Sequence, residues 1–169
     1  DPADDSSDAC EFDDGTVNFH FAKSGKGNIT FEKAQFGASM VDFRRVEFGD
    51  GKVDFRRIDF GDAEVTFEES IFLSGKVTFR SSKFGSRNKN FAKVDFGKDE
   101  VSFEGVNFGG GDLSFFDSTF TDLILRKSHF DCHLDLRVAS GNLIDLSDTV
   151  IRDIVDFTTS ESKVDISKL

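Results

Sequence analysis

Tyrosine and tryptophan are absent from this chain, although phenylalanine occurs 22 times in its 169 residues. Its aromatic content is therefore apolar filler, with no phenol or indole to reach a polar partner. Proline occurs once, against 15 glycines, as suits a regular backbone with tight corners. No apolar run approaches the ~20 residues that a membrane-spanning helix requires, so membrane insertion is not expected. No Ser/His/Asp or Cys/His set has consistent spacing, and no phosphate loop or paired-carboxylate motif stands out. No enzyme activity and no cofactor are expected on that basis.

The net charge of −11 is unevenly spread. Residues 1–14 hold seven acids and no base, whereas residues 15–120 hold 16 acids and 15 bases. Residues 1–9 read as a flexible acidic leader, and the body that follows is close to neutral. An acidic leader suits a processed, translocated protein. A periplasmic, organelle-lumenal or secreted location is accordingly favoured over the cytoplasm.

The residue that organises the chain is phenylalanine. From Phe43 to Phe120 it recurs at alternating intervals of five and seven, as in Phe43, Phe48, Phe55, Phe60, Phe67 and Phe72. A fixed period of this kind marks a solenoid. The residue two before each Phe is usually Val, Ile, Leu or Ser. The triplets Val41-Asp42-Phe43 and Val77-Thr78-Phe79 thus place two apolar side chains on one face of a short strand, with the middle residue pointing outward. Glycine follows Phe48, Phe60, Phe84, Phe96 and Phe108, where it serves a corner. No glycine directly follows the Phe that opens a five-residue interval, which predicts standard corners there. The register extends back to Phe12, with one exception: Ser24 stands where a Phe is expected.

After Phe120 the chain parses into pentads with one-residue slips, 21 residues per group of four. Ser128-His129-Phe130, Ile144-Asp145-Leu146 and Val155-Asp156-Phe157 carry the unit. This resembles the pentapeptide-repeat family over about residues 10–168. The resemblance implies an all-β fold, a right-handed quadrilateral parallel β-helix. The chain departs from the family pattern by inserting two residues in every second pentad, by using Phe for Leu, and by emptying one central position at Gly141.

Four sides per coil predict 24 residues to about residue 120 and about 21 thereafter, as a single solenoid over 10–169. Charge columns favour 24 over a flattened 12-residue coil. A step of 12 stacks Lys33, Arg45 and Arg57 on one another. A step of 24 sets Arg45 against Glu69, Glu32 against Arg56 and Arg80 against Glu104. The same spacing places Cys10 and Cys132 about five coils apart, or ~24 Å at the strand spacing, too far for a disulfide.

His129, Cys132 and His133 form the one cluster of metal-ligating types. In a strand the two histidines share a side and the cysteine faces the other, so no metal site is expected. Gly49-Asp50-Gly51 and Gly61-Asp62 suggest calcium turns, but Ser74, Ser86, Lys98 and Gly110 fill the same slot elsewhere, as corner chemistry would. The remaining signal is apolar. Phe116 follows core Phe115 in the column Arg44, Glu68, Ala92, Phe116, and Ile71 and Leu73 flank core Phe72. These four residues, Ile71, Leu73, Ala92 and Phe116, are expected to form a contact edge for a protein partner or for self-association. The expected function is a non-catalytic scaffold. The alternative, which the family resemblance implies, is an acidic DNA mimic that binds a topoisomerase or another nucleic-acid-binding protein. The near-neutral body speaks against it, and nucleic acid itself is not an expected partner.

Overall fold

The computed structural model describes residues 10–37, 39–157 and 164–168, so the acidic leader lies outside the described residues. The described chain is all-β, and every strand pairing is parallel. Because each strand is only two to four residues long, no hairpin or local sheet holds it. Each pairs instead with its counterpart one coil away. Val41 lies beside Val65, Val53 beside Val77 and Phe48 beside Phe72, with 24 residues separating partners such as Arg45 and Glu69. From Val101 onward, which pairs with Leu123, the step shortens. Leu113 pairs with Leu134 and Leu134 with Val155, and the cross-coil pair Arg152–Asp131 spans 21 residues.

Four ladders run up the solenoid. Face one is a seven-stranded sheet from Thr16–Asn18 through Met40–Asp42 and Glu64–Thr66 to Val155–Asp156. Face two runs from Lys23 through Glu47–Asp50 and Ile71–Ser74 to Asp95, Thr119 and Ser140. Face three is the second seven-stranded sheet, from Ile29–Thr30 to Asp165–Lys168. Face four carries Phe12, Phe36 and the bridges from Gln35 up to His129 and Val150. This is a four-sided β-solenoid, as the 24-residue period predicts.

The core consists of stacked rings. Phe43, Phe67 and Phe91 lie nearly parallel with centroids 4.6 and 5.0 Å apart, close to the strand spacing that sets them. Neighbouring columns meet edge to face, as Phe55 and Phe67 do at 86°. Both are favoured arrangements for aromatic pairs.

Two local readings change. The five-residue corners are not standard: Lys33, Arg45, Arg57, Glu69, Ser81 and Lys93 all adopt positive φ. Each is the third residue of a four-residue turn, closed at Lys33, Arg45, Glu69 and Ser81 by a bond such as Ala34 N–H to Phe31 O. That conformation costs an ordinary residue about 1–2 kcal/mol, offset here by backbone bonds to the next coil on both sides of the corner. The middle residues of the triplets are also more covered than outward positions should be. Asp42 and Asp54 are buried, because each carboxylate accepts the backbone N–H and the guanidinium of the arginine two residues on. Burial pushes both carboxyls up, but these bonds from Arg44 and Arg56 outweigh it and hold them below the usual range.

Candidate functional site

The corner between faces one and two carries most of the unusual exterior. Backbone bonds align it coil by coil: Phe21 N–H to Arg44 O, Arg45 to Glu68, Glu69 to Ala92, Lys93 to Phe116 and Asp117 to Arg137. Two side-chain columns result, one of Phe21, Arg45, Glu69, Lys93 and Asp117, the other of His20, Arg44, Glu68, Ala92, Phe116 and Arg137. In the first, Glu69 lies 2.6 Å from Arg45 and 3.9 Å from Lys93. The Arg45 hydrogen bond lowers its carboxyl below the usual range. Exposed pairs of this kind contribute little stability; their alternation sets the register.

An aromatic ring stands at each end of the corner. Phe116 is 42% exposed and lies 5.1 Å under the Arg137 guanidinium. Phe21 is 61% exposed, stacks on His20 at 4.0 Å, and lies beneath Arg45. Arginine over an aromatic face is attractive and holds each ring in place without covering it.

Of the four expected contact residues, Ala92 and Phe116 are brought together in adjacent coils. Ile71 and Leu73 are exposed as expected, but they lie on face two, where Ile71 pairs with Asp95 and Asp95 with Thr119 in the coil of Phe116. Two coil steps and a charged residue thus separate them from Phe116, and the edge is a broken apolar line rather than one patch. Phe21 escaped the sequence reading. Its signal was available, since Phe21 and Phe116 are the two phenylalanines up to Phe120 that fall off the five-and-seven lattice.

Lys89 was missed as well. It occupies an inward slot between Val65 and Leu113 and is 1% exposed. Its Nζ donates to the carbonyls of Gly85, at 3.2 Å, and Gly110, so the stem fills the core while the ammonium reaches the corner. Burial pushes its pKa down. The buried Cys132 thiol nearby is pushed up to about 11 by burial and stays protonated. Cys10 and Cys132 are both free.

The His129–Cys132–His133 cluster is divided by a corner. His129 lies on face four and His133 on face one, so the two histidines do not share a strand side as a continuous strand would require. His133 Nε2 lies 2.9 Å from Asp156 instead. Among the described residues no three His, Cys, Asp or Glu side chains gather as a metal site would require, and no helix is long and apolar enough to cross a membrane. Comparison with family models, with curated proteins and with solved structures returned no match for this chain.

Proposed function

We propose that the protein is a non-catalytic scaffold of the pentapeptide-repeat type, which engages a protein partner or a second copy of itself along the edge between faces one and two. The observation that carries this reading is Phe116, a large ring held open to solvent by Arg137 on a corner whose neighbouring coils carry mostly charged side chains. Aromatic and arginine side chains dominate the energetics of protein interfaces, and solenoids generally bind through their sides. The acid–base alternation of Arg45, Glu69 and Lys93 supports a protein partner over mimicry of a nucleic-acid duplex, which needs a continuous anionic face. Ile71 and Leu73 extend the contact onto face two.

Replacing Phe116 and Leu73 together by aspartate tests the assignment. The double variant should keep the far-ultraviolet circular dichroism and melting behaviour of the parent while losing co-purification or cross-linking with its partner or itself. If it cross-links like the parent, this edge is not the interface.

A further inference from the structure

Three of the four ring columns begin in the first coil. Phe12 stacks 4.8 Å from Phe36, Phe19 4.7 Å from Phe43, and Phe31 5.2 Å from Phe55, all within a few degrees of parallel. The fourth begins one coil later. Lys23 pairs with Glu47, which puts Ser24 in register with Phe48, so a hydroxymethyl group stands where the repeat calls for a ring. The Ser24 hydroxyl accepts the Gly49 amide at 2.9 Å and so is engaged with the corner. What results is a pocket of about 150 Å³, open to solvent on one side and lined by Phe19, Ile29, Phe31, Val46 and Phe48 together with Ser24.

The same column has a second gap at its other end, and its fate differs. Thr119 pairs with Ser140, so Gly141 stands in register with Phe120. A Cβ at Gly141 would meet the Phe120 ring at 2.2 Å, so the neighbouring ring already occupies that space. At Ser24 no neighbouring ring does so. Phe48 is committed to Phe72, 4.4 Å away and 5° from parallel, and its opposite face borders the cavity.

We propose that this cavity is a binding site for a single unfused aromatic ring, lying parallel to Phe48 in the position the column leaves to Ser24. Two observations specify an aromatic ligand rather than any apolar one. The repeat sets a ring face at this height, and the same repeat gives the ligand an edge-on contact with Phe31, as Phe48 has with Phe55 at 6.1 Å and 88°. Both contacts suit the quadrupole of a benzene ring. An apolar space of about 150 Å³ has room for one benzene ring.

Toluene and cyclohexane are the probes, titrated into the full chain with 13C-labelled methyl groups. Toluene should shift the methyl resonances of Ile29 and Val46 saturably and leave those of Ile151 and Val155, at the far end, unmoved. At about five times its Kd it should raise Tm by roughly 2–4 °C. Cyclohexane should bind at least tenfold more weakly. Ser24→Phe, which completes the column, should melt higher than the parent and lose the toluene response. The assignment is overturned if toluene leaves Ile29 and Val46 unmoved up to its solubility limit, or if cyclohexane binds as well. Self-association that toluene releases and Ser24→Phe abolishes would also overturn it, by giving the cavity to a side chain of a second copy. The wild-type methyl shifts decide the matter even if Ser24→Phe does not fold.

Discussion

The coils before Phe120 and those after it solve one packing problem at two widths. In the first part phenylalanines fill the cross-section, and the ring stack ends at Phe108 and Phe130, 4.7 Å apart. Beyond it Leu123, Leu125, Leu134, Leu136 and Leu146 fill the interior. The corners change with the filling. In the wide coils Gly51, Gly75, Gly85, Gly97 and Gly109 lie so close to the previous coil that an added Cβ would come within 2.2–2.4 Å of its backbone oxygens. After Phe120 the chain has only Gly141, and that one faces a ring rather than a backbone. The two extra residues in each seven-residue interval thus build glycine corners that open the coil to ring width. When they are dropped, leaving four pentads and a one-residue slip per coil, the step falls from 24 residues to 21 and leucine takes over from phenylalanine.

The largest expected effect comes from removing a ring in the wide part. Phe67 stacks on Phe43 and Phe91 and meets Phe55 and Phe79 edge-on. Phe67→Ala should cost about 3–5 kcal/mol by urea unfolding. A loss below about 2 kcal/mol would mean that the ring column is not what holds these coils.

Corner glycine is next. At Gly75, with φ of 95°, an added Cβ would lie 2.3 Å from the Gly51 carbonyl oxygen. Gly75→Ala should therefore cost about 2–4 kcal/mol, combining left-handed strain with overpacking. Gly110 is the control, because its nearest neighbour would be 3.8 Å away. Gly110→Ala should stay within about 0.5 kcal/mol of the parent. Equal effects at the two sites would remove the corner argument. Coil width itself is tested by Leu125→Phe, which carries the wide-coil residue into a fully buried narrow-coil site. Overpacking should cost about 1–3 kcal/mol, and a neutral or stabilising exchange would show that the narrow coils have room to spare.

The wide part was legible because its period is carried by one residue type at positions that cannot drift. The 24-residue step followed from charge pairs that the structure contains, among them Arg45–Glu69 at 2.6 Å, Glu32–Arg56 at 3.1 Å and Arg80–Glu104 at 2.9 Å. What escaped reading lies where a side chain leaves the course its position implies. Lys89 fills an inward slot but ends on corner carbonyls. Asp42 points outward yet is buried under its own arginine. Phe21 itself adopts positive φ; its place off the lattice marks it as exterior but does not say how the corner turns it. The exposed apolar residues were placed relative to one another only in part, for a related reason. Columns up one face follow from the period, whereas distances around a corner depend on turn geometry.

The smallest effect separates the two parts by pH. His133, in the narrow coils, is bonded to Asp156 at 2.9 Å and lies 3.7 Å from Asp112. The Asp156 hydrogen bond raises its pKa above the ordinary 6.5, against a smaller opposing effect of burial, with the charges of Asp156, Asp112 and Asp135 adding to the rise. A folded-state pKa above the unfolded one means that folding favours the proton. The stabilisation is fully present below the unfolded value and fades as pH rises through the folded one. The Leu134 and Leu136 amides bond to Ile154 and Asp156 in the next coil, so they report on this region. Their hydrogen-exchange protection, corrected for intrinsic rates, should fall as pH climbs from about 6 toward 8, whereas the Phe67 amide in the wide part should hold steady. His133→Gln should flatten the dependence at Leu134 and Leu136. A folded-state His133 pKa below 6.5 by NMR titration, or a pH slope that survives the substitution, would assign the drift elsewhere and leave the two parts electrostatically alike.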